Sequence, residues 1–314
     1  MERIDFLIEK ILRTHTKNIR SLEFILLAAK ARIFNLQSRR GARDVVDLHY
    51  NLDNEVYLSF LDPYNQYTCG YFKDTEDLNA AQEQKLELIC KKLRLQKSDR
   101  VLDIGCGWGG FAKYAAERYG CHVTGITISE EQFSYATKYV AGLPVDIRKQ
   151  DYRDLKEETY EKIVCAGMIE HVGYKNYRRF MKIVKSCLAD DGLFLLHTIG
   201  ANESYRVAES WLHKYIFPNG MIPSIAQLGE ATEKLLVMED WHNFGPYYYQ
   251  TLMAWDENFR KNWPKLEGKY SETFYRMFHY YFMSCAGMFK ARRTQLWQIV
   301  LSKGNGDTVY ECVR

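Results

Sequence analysis

The chain has 314 residues, 46% of them hydrophobic, which is enough apolar material for one large domain or one domain with a helical appendage. No apolar run reaches the ~20 residues of a bilayer-spanning helix, and Met1–Lys10, carrying Glu2, Asp5 and Glu9, lacks the form of a secretory signal. The net charge of +3 conceals an asymmetry: residues 1–43 hold ten Lys/Arg against four Asp/Glu, so the remainder sums to −3.

In chain order, Ile4, Leu7, Ile8, Ile11 and Leu12 share one helical face, as do Leu22, Ile25, Leu26, Ala29, Ile33 and Leu36. Residues 1–44 therefore read as a basic amphipathic helical segment, with Gln37–Asp44 as connector, and residues 45–314 as the main domain. Such a segment either caps the domain with solvated charges or is drawn to anionic phospholipid, at about 1 kcal/mol per basic residue near the surface. Residues 45–98 read as helix and loop. From Arg100 strand and helix alternate, as in a mostly parallel sheet. Strands are predicted at 100–104, 122–127, 145–150, 162–166 and 192–198. Helices are predicted at 108–119, after Ser129-Glu-Glu-Gln132 (a capping-box sequence), and at 174–188. Residues 201–233 read as an inserted helical cover. A strand at 235–244, two aromatic-rich helices at about 247–263 and 271–291, and a last strand at 295–302 follow.

Eight cysteines are scattered with no C-x-x-C pair and no His/Cys cluster, which favours reduced thiols in a cytosol and no metal site. Aromatic residues make up 14%, with 23 tyrosines, more than an ordinary core needs. Rings in that number suit the lining of a pocket or a lipid-facing surface.

The most informative stretch is Val101-Leu-Asp-Ile-Gly-Cys-Gly-Trp-Gly-Gly110. Gly105, Gly107 and Gly110 satisfy G-x-G-x-x-G after a strand, a pattern that brings backbone close to a nucleotide at a helix N-terminus. The pattern alone does not separate NAD from S-adenosylmethionine (SAM). Asp103, two residues before the first glycine, suits a cationic amino-acid moiety and serves a diphosphate poorly. The dinucleotide reading also wants an acid at the end of the next strand, where this chain has Thr127 and Ser129. SAM is the better reading. Gln132 can reach ribose hydroxyls or complete the cap with Ser129. Asp151 is placed to accept from an adenine amine, and Tyr152 to flank the ring. Glu170 and His197 end adjacent strands beside the cofactor, where a methyl acceptor would lie. His171 reads as a structural residue. The fold class is α/β, a class I SAM-dependent methyltransferase sheet (Rossmann-like) with helices on both faces.

The chain resembles the cyclopropane-fatty-acyl-phospholipid synthase family, relatives of the mycolic acid cyclopropane synthases. The resemblance rests on His49-Tyr-Asn-Leu52, Leu61-Asp-Pro-Tyr-Asn-Gln-Tyr-Thr-Cys-Gly-Tyr-Phe72, Val101–Gly110, Gly125-Ile-Thr-Ile-Ser-Glu-Glu-Gln132 and Gln150-Asp-Tyr-Arg-Asp-Leu155. It continues in Gly167-Met-Ile-Glu-His-Val-Gly173, Leu195-Leu-His-Thr-Ile-Gly200, Phe217-Pro-Asn-Gly220, Glu239-Asp-Trp-His-Asn-Phe-Gly245, Thr251-Leu-Met-Ala-Trp255 and Cys285-Ala-Gly-Met-Phe-Lys-Ala-Arg292. It implies transfer of the SAM methyl carbon to a cis double bond of a phospholipid acyl chain, followed by ring closure. Bicarbonate is implied as the base, held by Glu170, His197, Tyr248 and Cys69. Tyr67 and Thr68 fall in a cofactor-side stretch. The family's pattern often has Ser where this chain has Thr68, and Ala where it has Gly70. Cys285, a position sometimes regarded as an active-site cysteine in such enzymes, sits in a helical aromatic stretch that suits a packed thiol. Longer bacterial members carry a further small N-terminal domain, so this chain is expected to be a short form. The resemblance also implies a peripheral partner surface at the inner face of the membrane, unsaturated phospholipid as substrate and no nucleic acid, and is compatible with a homodimer. Three rival readings follow from the residues: olefin methylation without ring closure, a nicotinamide-dependent oxidoreductase, and a non-catalytic lipid-binding protein.

Overall fold

The computed structural model of the chain describes residues 3–14, 35, 37–39, 54–156, 158–205, 207, 209–306 and 309–314. The apolar positions of the second amphipathic stretch, Leu22, Ile25, Leu26, Ala29, Ile33 and Leu36, and the His49–Leu52 motif lie outside the described residues.

Before the sheet come α1 (Ile4–Arg13), α2 (Asn54–Leu58) and α3 (Leu78–Leu93), the last capped by Asp77, whose carboxylate accepts from Ala80 N at 2.8 Å. The sheet strands are β1 (Arg100–Ile104), β2 (His122–Thr127), β3 (Val145–Lys149), β4 (Tyr160–Ala166), β5 (Leu188–Ala201), β6 (Val237–Asn243) and β7 (Thr294–Ser302). Between β1 and β5 run α4 (Gly110–Tyr119), α5 (Glu130–Tyr139) and α6 (Tyr177–Cys187). The cover contributes α7 (Ser210–Tyr215) and α8 (Ile225–Thr232), and β6 leads to α9 (Pro246–Asn262) and α10 (Glu272–Lys290).

The strand order is β3-β2-β1-β4-β5-β7-β6, with β1 to β5 parallel and β7 antiparallel to both β5 and β6. The alternation of strand and helix from Arg100 is thus borne out. The order reverses between β1 and β4, which opens a crevice outside their carboxyl ends, the place where open α/β sheets take ligands. One difference concerns β5. The strand begins at Leu188, where helix was expected, because Leu188 adopts an extended backbone and pairs with Tyr160. It also continues to Ala201, held by Thr294 of β7.

Beside the sheet, α9 and α10 pack through rings rather than aliphatic chains. Phe60, Trp255, Phe259, Phe278 and Phe282 are buried together, with Phe60 and Phe282 edge to face at 5.1 Å. Helix α1 lies on α10 where Gly287 leaves room; a β-carbon there would meet Ile8. That contact turns Phe6, Leu7 and Ile11 outward, each more than 40% exposed. The expected apolar face of α1 is therefore split between a packed edge and an open one.

Candidate active site

Two adjoining cavities lie at the crevice. The first is lined by every residue assigned above to the cofactor: Tyr67, Thr68, Asp103, Gly105, Gly107, Thr127, Gln132, Asp151 and Tyr152. The second is walled by Glu170, His197, Tyr248 and Cys285 together with Leu212, Phe217, Tyr281, Met288, Phe289 and Leu296. Tyr67, Thr68, Gly167 and His171 line both.

In the first cavity Gly105 and Gly107 take positive φ, +81° and +54°, and a β-carbon on Gly107 would meet nothing within 4 Å. Gly107 therefore faces open space that a ligand can enter. The third glycine of the pattern differs: a β-carbon on Gly110 would overlap the main-chain carbonyl of Tyr64. Gly110 serves the close approach of the 62–68 loop, not the nucleotide directly. That loop is tied by Asp62, whose carboxylate accepts from Tyr64 N and Gln66 N, both at 2.8 Å.

Asp103 is 3% exposed, and its Oδ2 has no hydrogen-bond partner among the described residues. Burial pushes its carboxyl up to about 7, while nearby Lys85 acts the other way. A buried carboxylate with an unpartnered oxygen, lining a cavity, suits a cationic ligand. Lys85 is fully buried beneath the loop and donates to Gln66 Oε1 at 2.5 Å and Thr68 Oγ1 at 2.8 Å.

Several of these side chains already have partners within the protein. Ser129 does accept from Gln132 N at 3.2 Å, but the reciprocal arm of a capping box is absent. Gln132 Oε1 instead accepts from Thr127 Oγ1 at 2.9 Å, and Thr127 Oγ1 accepts from Ser129 N. The Thr127 hydroxyl is thus occupied in holding Gln132. Asp151 is engaged with Arg153, accepting from its main-chain N at 2.9 Å and its guanidinium at 2.8 Å. Tyr152 packs edge to face on Phe180 at 5.3 Å, and its buried hydroxyl has no partner. Cys69 lines neither cavity: it is fully buried, donates to Gly70 O at 3.2 Å and receives Thr251 Oγ1 at 3.8 Å. Burial pushes its thiol far up, so it is neutral.

In the second cavity Glu170 sits on the 3-10 turn after β4 (Ile169–His171). Its Oε1 accepts from Ile199 N at 2.8 Å and its Oε2 has no partner among the described residues. Burial pushes this carboxyl up to about 7. His197 is fully buried on β5 between Ala166 and Gln298, and its Nε2 also has no partner among the described residues. Burial, with Lys85 and Lys92 nearby, holds its pKa well below the usual value, so the ring is neutral. Tyr248 stacks on Phe289 at 4.4 Å and stands edge to face with Trp255 at 6.0 Å. Burial raises its phenol well above the ordinary range. Cys285 is on the wall of this cavity rather than packed away from it, with its thiol pushed up to about 12 by burial. His171, read as structural, is at the wall between the cavities, its ring 6.2 Å from Phe217.

Lys85, Gln66 and Gln298 went unnoticed in the sequence. Lys85 and Lys92 both fall on the buried stripe Leu78, Ala81, Lys85, Leu88, Lys92 of α3. A lysine at a stripe position was the available signal.

Known proteins bear on this geometry. The family model for mycolic acid cyclopropane synthetase matches residues 37–299. The chain is 48% identical over 305 residues to the cyclopropane-fatty-acyl-phospholipid synthase of Escherichia coli strain K12, covering 96% of this chain and 80% of that one. It is 33% identical over 291 residues to sphingolipid C9-methyltransferase A of Emericella nidulans, covering 87% of this chain and 56% of that one. Among solved structures, a mycolic acid cyclopropane synthase complexed with SAH and CTAB superposes with a TM-score of 0.78 at 28% identity, over 83% of this chain and 98% of that one.

Proposed function

Since the chain belongs to the mycolic acid cyclopropane synthetase family of SAM-dependent methyltransferases, we propose that it cyclopropanates cis double bonds of phospholipid acyl chains. The observation that carries this reading is the second cavity: apolar and ring-lined, adjoining the cofactor cavity, with one polar cluster of Glu170, His197 and Tyr248. Among the described residues that line it, Glu170 alone has an acidic side chain. An alkene is a carbon nucleophile with no proton to remove beforehand, so a Ser-His or Cys-His pair is not required. What the reaction needs is a dry channel, stabilisation of developing positive charge and a later proton acceptor.

The residues of the first cavity fit SAM. Asp103 would hold its cationic amino-acid end, Gly105 and Gly107 would allow close backbone approach, and Gln132, fixed by Thr127, would meet ribose. Asp151 and Tyr152 would border the adenine. Bound there, SAM supplies an electrophilic methyl group. On the acceptor side, the faces of Tyr248, Phe217 and Tyr281 suit a transient carbocation.

The orphaned Glu170 Oε2 and His197 Nε2 fit a small anion with a hydroxyl, and we assign that place to bicarbonate, with Tyr248 beside it. There it would supply the base for ring closure. Cys69, which lines neither cavity, is assigned to holding the 68–70 backbone. Residues 45–314 form the catalytic domain in this reading, with 201–233 as its cover, and residues 1–44 dock on the cytoplasmic membrane surface. Exposed Phe6, Leu7 and Ile11, flanked by Arg3, Lys10 and Arg13, support that docking.

Incubation with SAM and cis-unsaturated phospholipid vesicles, followed by mass spectrometry of the acyl chains, tests the reading. The expected product is heavier by one methylene with the double bond gone. A branched product would instead favour simple methylation, in keeping with the similarity to a sphingolipid methyltransferase. A Glu170→Ala variant with unaltered turnover would remove the catalytic assignment.

A further inference from the structure

Behind the second cavity a row of polar side chains crosses three strands. His197 on β5 and His242 on β6 both stand in register with Gln298 on β7, and side chains in register share a face of the sheet. Gln298 Nε2 lies 3.3 Å from His197 Nδ1, and both residues are fully buried. At the far end Lys92 Nζ lies 3.2 Å from His242 Nδ1 and 3.2 Å from Asp240.

The polarity at His197 follows from the amide beside it. At the outer end an ammonium only donates, so His242 Nδ1 accepts from Lys92. Gln298 Oε1 has no hydrogen-bond partner among the described residues, and it is the amide nitrogen that faces His197. An amide nitrogen only donates. His197 Nδ1 therefore accepts, and the single proton of the neutral ring sits on Nε2, the atom without a protein partner at the cavity.

We propose that Gln298 is a positioning residue that fixes His197 as its Nε2–H tautomer, so that His197 presents a hydrogen-bond donor to an anion in the cavity and is not itself the base. This rests on the reading of His197 as part of the acceptor site. The neutrality it requires agrees with the burial of His197 and the two lysines near it.

The first test reads the wild-type protein directly. Protein labelled with 15N-histidine is measured by long-range proton–nitrogen correlation, the His197 signals being assigned by their loss in His197→Gln. The expected pattern is a protonated Nε2 and an unprotonated Nδ1; a protonated Nδ1 or an imidazolium overturns the proposal. In the second test Gln298→Glu places a carboxylate at Nδ1, which demands a proton there. Its kcat is expected to fall about 100-fold, as when a donor to a developing anion is lost, with SAM affinity within about twofold of wild type. Gln298→Leu, which leaves the tautomer free, is expected to fall only about tenfold. Equal losses in the two variants would mean that Gln298 merely fills space, and would overturn the proposal. The nitrogen spectrum does not depend on turnover, so failure of the cyclopropanation reading is seen separately, as absence of product from the wild-type enzyme.

Discussion

The main-chain carbonyl of Tyr64 occupies the space that a side chain would need at Gly110. Two glycines of one motif thus answer to different constraints, and substitution separates them. Gly110→Ala must displace the 62–68 loop and is expected to lower the melting temperature sharply, by a loss of about 3 kcal/mol or more. Gly107→Ala meets no neighbour and loses only the ~1–2 kcal/mol of a left-handed backbone, but intrudes on the cofactor cavity. Calorimetry is expected to show a nearly native fold with SAM affinity much reduced. The reverse pattern would contradict the assignment of the two glycines.

Asp103 carries a pH signature. Its carboxyl is raised to about 7 by burial, so it is neutral below that pH and ionised above. A cationic ligand favours the ionised form. SAM binding is therefore expected to strengthen as pH rises towards 7, and to release a proton when measured at pH 6 by titration calorimetry in buffers of different ionisation heat. The same raised value means that its contribution to ligand-free stability is fully present below the unfolded carboxylate value of about 4 and is lost as pH rises through about 7. Asp103→Asn is expected to weaken SAM binding ~10–100-fold, the worth of one charge-assisted hydrogen bond, and to abolish the proton release.

Cys285 borders the acceptor cavity with its thiol held at about 12, so at neutral pH it offers no thiolate. Cys285→Ala is expected to keep kcat within about threefold of wild type, since no covalent step uses it. Among the eight free cysteines only Cys312 is exposed, and reaction with a thiol reagent at pH 7.5 is expected to show one fast group. A large loss of turnover in Cys285→Ala would reinstate it as a catalytic residue.

Helix α1 bears on membrane docking. Replacing Phe6, Leu7 and Ile11 together by serine removes exposed apolar area and leaves the packed edge at Ile8, giving up the contact of the Lys290 ammonium of α10 with the Phe6 ring at 3.7 Å. Each buried side chain of this kind is worth about 1.5–3 kcal/mol at a lipid boundary. The triple variant is expected to sediment at least about tenfold less well with anionic vesicles, while turnover of a short, dispersed lipid is preserved. Equal sedimentation of both proteins would refute the docking role.

Much of the site was legible because it is local. The Val101–Gly110 turn, the Thr127–Gln132 turn and the residues following each strand are ordered by chain proximity, and parallel strand succession brings them to one crevice. What escaped was set by register and depth. Gln298 reads as one polar residue in an apolar strand until pairing puts it against His197. Lys85 looks like a solvated charge until α3 buries its stripe beneath the 62–68 loop. Cys69 stands beside Thr68, yet the chain turns its thiol towards Thr251 and away from the cavity that Thr68 lines. Gln132 reads both as a ribose contact and as the cap partner of Ser129, because spacing shows who is near, not which neighbour wins the hydrogen bond.

The cofactor and acceptor cavities have Tyr67, Thr68, Gly167 and His171 in common. A carbon atom leaving one side arrives at once on the other, with no intermediate depot on the protein. Rate laws carry the imprint: double-reciprocal plots against either ligand should intersect rather than run parallel, and protein exposed to radiolabelled SAM alone should retain no label after denaturation.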